Sequence, residues 1–243
     1  REVRKVEDSK KESKAKNFIK RYCNNKLAVI GFFTLVLITL IVIIAPPFLP
    51  FSEAEIDPLA FNMPPSAKHL LGGDDVGRDV LSRLLYGGRV SLAVGIFSTA
   101  VSVIVGIPLG MLAAFYRGAF EVVVMRLSDI FMSFPSTILI LFLVSMFGPS
   151  IITVTVVIGV LGWPKFARQI YGSVLSIREK DYIEGAVAIG AKDKLIITRY
   201  ILPNAVAPIF ISITFRIASA IILESSLSFL GMGVQPPAAS WGN

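Results

Sequence analysis

Residues 130–163, IFMSFPSTILILFLVSMFGPSIITVTVVIGVLGW, contain no charged side chain. A helix that crosses a bilayer needs about 20 apolar residues, because the hydrocarbon core is about 30 Å thick. As one helix this run would reach roughly 50 Å, since each residue adds about 1.5 Å. The tetrapeptide FGPS at 147–150 is a helix breaker in the middle of the run. The stretch therefore predicts two spanning helices, at about 128–147 and 150–166.

Three more uncharged runs predict three more spans, at about 27–45, 90–115 and 204–223, with Arg216 as the one charge inside them. The chain of 243 residues is 54% hydrophobic and only 17% charged. A soluble domain carries roughly a quarter of charged residues. The sequence thus predicts an all-α, polytopic membrane protein with five visible transmembrane helices.

The net charge of +7 is unevenly distributed along the chain. Residues 1–26 hold ten Lys and Arg against four acids, and residues 164–202 hold seven against four. Residues 46–89 hold four against six. Five spans that start inside put the two basic segments in the cytoplasm, as the positive-inside rule requires. We therefore expect a multi-pass protein of the cell membrane with a cytoplasmic N-terminus, whose basic residues can also contact anionic lipid. This distribution argues against nucleic acid as a partner.

Three parts follow from these spans. Residues 1–26 form a basic cytoplasmic segment, and residues 27–89 hold the first helix with an extracytoplasmic segment. Residues 90–243 form the core, with a cytoplasmic loop at 164–203. In the extracytoplasmic segment, residues 71–89 predict a short surface helix, with an ion pair between Asp79 and Arg83. His69 is expected at the surface.

The residues that enzymes need are nearly absent from this sequence. His69 is the only histidine, so neither a His-based triad nor a metal cluster is favoured. Asp74, Asp75 and Asp79 could attract a cation, but the neighbouring arginines neutralise them. No GxxxxGK[ST] motif occurs, so this chain cannot hold nucleotide phosphates in the P-loop manner. We expect no metal, and any ATP must bind to another polypeptide.

Four polar or small residues in the spans have possible roles. A charge at membrane depth normally faces a water-filled path or a protein interface, which makes Arg216 a candidate for either, with an interhelical salt bridge as the alternative. Glu224 is a weaker candidate, because it lies near the outer end, where a side chain can snorkel to water. Gly106 and Gly110 form a small-xxx-small pair that permits close helix packing.

Residues 184–203, EGAVAIGAKDKLIITRYILP, are patterned more strongly than most membrane loops. They predict a short helix starting near Tyr182 and Glu184, a break at Gly190 and a restart at Pro203. Small side chains on such a helix allow a partner to approach closely. The alternative is an amphipathic surface hairpin without a partner.

This loop resembles the "EAA" loop of ABC importer permeases. Five residues fall on that pattern: Glu184, Ala186, Gly190, Leu202 and Pro203. Gly185 and Tyr200 depart from it, where the family usually has Ala and Ile. Three further stretches, 69–95, 176–191 and 222–242, resemble the dipeptide/oligopeptide (and nickel) permease family, in the subunit type with an extra N-terminal helix.

The resemblance implies the shared importer core, a second permease subunit of similar fold, two cytoplasmic ATPases that hold ATP and Mg, and an extracytoplasmic solute-binding protein. It implies that Tyr182, Glu184, Gly185, Ala186 and Gly190, with Leu202 and Pro203 at the exit, couple the permease to the ATPase. It also implies one more helix than the five visible here.

Alternatives to a peptide importer remain open at this point. Nickel or oligosaccharides are alternative cargoes within the same class. A secondary transporter or channel predicts repeated ion-binding residues inside the spans, and a membrane-embedded hydrolase predicts paired carboxylates or a histidine site there. Arg216 is the only full charge within the spans, which disfavours these last two.

Overall fold

The computed structural model describes residues 23–243, so most of the predicted basic segment 1–26 lies outside the described residues. Regular structure in the described part is helical, apart from two isolated β-bridges. Seven helices are named here: α1 (Lys26–Ile44), α2 (Val80–Tyr116), α3 (Gly118–Ser133), α4 (Ser136–Phe147), α5 (Ile151–Arg178), α6 (Asp181–Ala188) and α7 (Ile209–Phe229).

Four of these helices are long and apolar enough to cross a membrane, namely α1, α2, α5 and α7. A fifth candidate span is the pair α3 and α4, which is bent by 88°. The five spans predicted from uncharged runs therefore each find a counterpart. Their boundaries differ in four places, and each difference has a local cause.

The first difference is at the start of α2. Asp79 caps this helix, since its carboxylate accepts a hydrogen bond of 2.8 Å from the main-chain N–H of Ser82. The helix then continues without a break for 37 residues. The prediction of a separate surface helix over 71–89 is wrong, because its amphipathic second half forms the first turns of the spanning helix.

The second difference is the bend between α3 and α4. Pro135 forces the preceding Phe134 into an extended conformation, with φ −91° and ψ 142°, so the helix ends at Ser133. The predicted span 128–147 overlooked this proline. Residues 118–127, which lie between two predicted spans, form most of α3.

The last two differences are at α5 and α7. The predicted span 150–166 is too short, because α5 continues to Arg178, with Pro164 inside the helix. The predicted span 204–223 is shifted, since α7 begins at Ile209 directly after Pro208. Pro203 instead lies in the first turn of a short helix, Leu202–Ala205.

The core of the protein lies between α2 and α5, with α7 packed beside them. Gly106 and Gly110 face α5 at this contact. A Cβ on Gly106 would lie 2.5 Å from the carbonyl oxygen of Trp163, and a Cβ on Gly110 would overlap that of Ala167. The two glycines thus permit the close approach of two long helices.

A buried histidine organises the chain before α2. His69 is only 2% exposed, and its Nδ1 lies 3.0 Å from a carboxylate oxygen of Asp79. Its ring stacks on Phe51 with centroids 4.5 Å apart. The expectation of a surface histidine is therefore wrong, and so is the predicted ion pair of Asp79 with Arg83. The Nε of Arg83 lies instead 3.7 Å from a carboxylate oxygen of Asp74.

Two carboxylates in this segment have a lowered pKa. A hydrogen bond from Lys68 is the largest cause that lowers the pKa of Asp57 to about 2. Burial acts to raise the pKa of Asp74, but hydrogen bonds from Arg78 and from the main-chain N–H of Val76 outweigh it and lower the pKa. Both carboxylates are therefore charged at neutral pH and serve as local acceptors.

The chain divides into two compact units, the first ending at Pro50 and the second comprising Phe51–Asn243. The first holds α1 and a short 3-10 helix, Pro46–Phe48, and the second holds α2 to α7. The segment after Phe51 belongs to the second unit because it is tied to α2: the main-chain oxygen of Phe51 accepts from Ser82, and that of Glu53 accepts from Arg83.

Candidate functional site

Helix α6 has a well-defined C-terminus. Gly190 adopts φ +75°, a left-handed conformation that glycine enters without a Cβ penalty. Its N–H donates to the carbonyl of Val187, and the N–H of Ala191 donates to that of Ala186. These two bonds are the Schellman motif, which satisfies carbonyls that a helix end otherwise leaves without a partner. Gly190 therefore ends α6 at a fixed place.

One face of α6 is buried and the other is free. Ile183 and Ala186, three residues apart, pack into a core cluster that also contains Ile196 and Ile201. The opposite face leaves the following side chains exposed: Tyr182, Glu184, Gly185 and Val187. Because nothing lies within 4 Å of a Cβ built at Gly185, this face offers a partner open access to the helix backbone.

The segment that follows α6 leads into α7 through irregular helical turns. Asp193–Leu195 forms one α-turn, Ile196–Ile201 a π-helical turn, and Leu202–Ala205 another α-turn. Ile196, Ile201 and Ala205 are buried in the same cluster as α6. We call α6 together with residues 189–205 the lever segment. All seven residues expected at the coupling loop lie in the lever segment, and among them Ala186 is buried in this cluster.

Arg178, which no sequence motif indicates, joins the lever segment to the C-terminal end of α2. Its Nη1 donates a hydrogen bond of 2.7 Å to the carbonyl of Phe115, in the last turn of α2. The guanidinium also lies 5.7 Å from the centroid of the Phe115 ring. A cation at a helix C-terminus satisfies its free carbonyls and its dipole. The available signal was a basic residue in the last turn of a helix just before Asp181, but the partner lies 63 residues away.

Arg178 also lines a cleft beside α6. The cleft is bounded on one side by Phe115 and Tyr116 of α2 and on the other by the exposed part of the lever segment. The lever residues that line it are Ile183, Glu184, Val187, Ala188 and Asp193. The lining combines apolar side chains with the charged Arg178, Glu184 and Asp193, a mixture that also occurs at protein interfaces.

Glu224 lies far from the lever segment and is fully buried. Its two carboxylate oxygens accept hydrogen bonds of 2.7 Å from Ser91 on α2 and from Ser228 on α7. The expectation that it snorkels to water is therefore wrong, because both oxygens have partners inside the chain. Ser91 in turn accepts from the main-chain N–H of Trp241, so the carboxylate ties the tail of the chain to two helices.

Arg216 lies on α7 and faces α5. Its Nη2 donates a hydrogen bond of 2.8 Å to the carbonyl of Ile158. No ion pair is formed by Arg216 with any residue in the described range 23–243, so the alternative of an interhelical salt bridge within the chain is not realised there. Gly106 and Gly110 lie against Phe166 and Ile170 of α5, which belong to the core cluster that also holds Ile183.

Residues 23–243 form long apolar helices that can cross a membrane, with a polar segment between α5 and α7, which is the architecture of a multi-pass membrane protein. Residues 106–243 match the family described as the binding-protein-dependent transport system inner membrane component. Residues 13–65 match the N-terminal transmembrane domain of oligopeptide transport permease C. The chain belongs to this family, as an ABC importer permease of the peptide group.

Relatives with assigned names agree with this membership. The dipeptide transport system permease protein DppC of Alkalihalophilus pseudofirmus is 38% identical over 92% of this chain and 73% of its own length. The glutathione transport system permease protein GsiD of Pectobacterium atrosepticum is 38% identical over 98% and 79%. The oligopeptide transport system permease protein OppC of Bacillus subtilis is 33% identical over 93% and 74%.

A solved structure supports the fold. The MetNI methionine ABC transporter, in an inward-facing conformation, aligns with a TM-score of 0.55 at 22% identity, over 63% of this chain and 76% of the other. The predicted all-α importer permease core is confirmed. The chain is a transporter subunit and not an enzyme, and the secondary transporter, channel and hydrolase alternatives are excluded by the family.

Proposed function

We propose that this chain forms one half of the translocation path of an importer for short peptides, and that its lever segment receives the motion of a cytoplasmic ATPase. The observation that carries the proposal is the two-sided character of α6. Ile183 and Ala186 fix it to the core, while Tyr182, Glu184 and Gly185 remain free for a partner.

The second half of the path is a homologous permease subunit. Two cytoplasmic ATPases hold ATP and Mg, because this sequence has no P-loop. An extracytoplasmic solute-binding protein delivers the cargo. The complex lies in the cell membrane, with the N-terminus and the lever segment of this chain in the cytoplasm, as the excess of basic residues in 1–26 and 164–202 favours.

Motion of α6 has two routes into the membrane. The first follows the chain: Ile183 packs against Ile196 and Ile201, and these residues lead into α7. The second crosses from Arg178 to the carbonyl of Phe115 and reaches α2. Because packed elements shift as units, docking of an ATPase at α6 displaces α2 and α7 together. These two helices then change access to the path.

The coupling role is tested by Glu184→Lys in the complete complex. Glu184 is exposed, so the substitution leaves the fold intact while it reverses a charge on the docking face. The expected result is a loss of peptide uptake with normal membrane insertion. Glu55→Lys is the matched control, since Glu55 is an exposed acid at the opposite end of the bundle. Unchanged uptake in Glu184→Lys would refute the coupling role.

Cargo and partners are tested together by purification from native membranes in mild detergent, followed by mass spectrometry. We expect two ATPases, a second permease and a binding protein. Reconstituted complex is then offered a labelled dipeptide, a pentapeptide, Ni²⁺ or an oligosaccharide. Uptake of the peptides alone supports the proposal, and uptake of Ni²⁺ or sugar in their place assigns the alternative cargo.

A further inference from the structure

The guanidinium of Arg216 lies at the middle level of the spanning helices. Arg216 is seven residues after Ile209, the first residue of α7, which places its Cα about 10 Å into the helix. The head group donates a hydrogen bond to the carbonyl oxygen of Ile158, which lies seven residues after the first residue of α5. This depth is well away from both ends of α5.

Gly162 provides the space for this head group. A Cβ at Gly162 would lie 2.5 Å from Nη2 of Arg216 and would overlap the hydroxyl of Ser102 on α2. The charge therefore sits where α2, α5 and α7 meet, in a recess that a larger residue at position 162 would fill. Residues of three helices therefore determine where the guanidinium lies.

The positive charge of Arg216 is only partly compensated by its hydrogen bond. One hydrogen bond to a main-chain carbonyl is formed, while the buried Nε atom of Arg216 has no hydrogen-bond partner. Among residues 23–243 no carboxylate forms an ion pair with it. A buried cation without a counter-charge is strongly unfavourable, and charged residues at membrane depth mark ion or substrate pathways.

Arg216 opens onto a cleft with a volume of about 290 Å³ between α5 and α7. A second cation, Lys165, lines the same cleft, together with the amide of Gln169, the hydroxyl of Ser212 and the ring of Phe215. No acidic residue is among the described residues that line it. The cleft therefore offers two positive charges and neutral hydrogen-bond donors to an anionic group.

We propose that this cleft binds a carboxylate of the transported peptide, with Arg216 as the main ligand and Lys165 as the second. The inference rests on the proposed function as a peptide importer. A free α-carboxylate is the one negative charge that every linear peptide carries, whatever its sequence. A cleft of this volume lies at the lower end of small-ligand sites and fits one terminal residue rather than a whole peptide.

A lipid headgroup is a poorer occupant, because headgroups lie at the ends of spanning helices whereas the guanidinium lies at their middle. An acidic side chain of the second permease subunit is the other possible source of a carboxylate. That source predicts a different result. Loss of a contact between Arg216 and the second subunit would impair assembly and lower the uptake of every cargo equally.

The test uses the complete reconstituted complex and a matched pair of labelled peptides, one with a free C-terminal carboxylate and one with a C-terminal amide. The readout is the ratio of their uptake rates, measured for wild type, Arg216→Gln, Arg216→Lys and Lys165→Gln. The binding protein is the same throughout, so a change in the ratio reports the permease. Arg126→Gln, an exposed cation on α3, is the control.

Loss of a charge-assisted hydrogen bond predicts that Arg216→Gln lowers the acid-to-amide ratio about tenfold. Lys165→Gln lowers it less, and Arg216→Lys retains part of it. An equal fall for both peptides, or dissociation of the complex, overturns the carboxylate site and assigns Arg216 to the subunit interface. An unchanged ratio in all variants also overturns it. If the wild-type complex transports neither peptide, the proposed function itself is wrong, and this inference falls with it.

Discussion

Nη1 of Arg178 lies 2.7 Å from the carbonyl oxygen of Phe115, and this hydrogen bond joins the last turn of α5 to the last turn of α2. The two residues are 63 positions apart in the sequence. Only two residues separate Arg178 from Asp181, where α6 begins. This bond adds a polar link between the end of α5 and the longest spanning helix, whose Ala114 also lies in the same core cluster as Ile183 of α6.

Replacing Arg178 by Gln should destabilise the end of α2. A hydrogen bond from a charged donor contributes about 1.5–3 kcal/mol, and the partial exposure of this one favours the lower figure. We expect a lower denaturation midpoint of the purified chain in detergent and reduced coupling between ATP hydrolysis and uptake. Lys180→Gln is the control, because Lys180 is exposed. Equal effects of the two substitutions would show that the hydrogen bond to Phe115 contributes no measurable stability.

Replacing two glycines of the lever segment by alanine should have opposite effects on the stability of α6. Gly185 is helical and has open space around it, so Gly185→Ala should stabilise α6 by about 1 kcal/mol through helix propensity. Gly190 has equally open surroundings but a φ of +75°, so Gly190→Ala should cost about 1–2 kcal/mol.

Hydrogen exchange of the amides in 181–191 measures both effects. A change of 1 kcal/mol in local opening corresponds to about a fivefold change in exchange rate. We expect slower exchange in Gly185→Ala and faster exchange in Gly190→Ala. The two positions serve as each other's controls, since only the backbone conformation differs. Faster exchange in both variants would contradict the helical assignment of Gly185.

The spans were predictable because their signal is local. Long runs without charge gave α1, α2, α5 and α7, and the glycine at the end of α6 was predicted at Gly190. The bend before α4 is also encoded locally, by Pro135, but the breaker at 147–150 already divides the run into two spans of ordinary length and so hides the second break.

The features that were missed depend on contacts between distant residues. The burial of His69 needs Asp79 and Phe51 around it, and the role of Arg178 needs the end of α2 nearby. The full lengths of α2 and α5 were not predicted, because each helix combines an apolar stretch with an amphipathic one. In α2 the amphipathic stretch precedes the apolar run and in α5 it follows, although each helix is continuous.

The stability of the protein should depend more on the hydrogen-bonding oxygens of Glu224 than on its negative charge. Glu224→Gln keeps one acceptor and gains a donor that can meet a serine hydroxyl oxygen. Glu224→Leu leaves the hydroxyls of Ser91 and Ser228 without their acceptor in a buried site, which costs about 1–3 kcal/mol for each group.

We therefore expect a small loss of thermal stability in Glu224→Gln and a large one in Glu224→Leu, measured on the purified chain in detergent. Glu179→Leu, at an exposed position, controls for the removal of a carboxylate. A Leu variant as stable as wild type would mean that the two serines find other acceptors, and that the carboxylate does not hold α2 to α7.

Close contact of α2 with α5 should make Gly110 intolerant of even one methyl group. A Cβ there would overlap the carbonyl oxygen of Ala167 and approach Ile170 to 2.5 Å. Since overpacking in a tight contact costs about 1–3 kcal/mol, Gly110→Ala should lower the denaturation midpoint and reduce uptake. Gly172 on α5 has nothing within 4 Å of its Cβ position, so Gly172→Ala should be neutral or stabilising by up to about 1 kcal/mol. Equal stability of the two variants would mean that α2 and α5 separate at little cost, and that their packing does not hold the two helices together during transport.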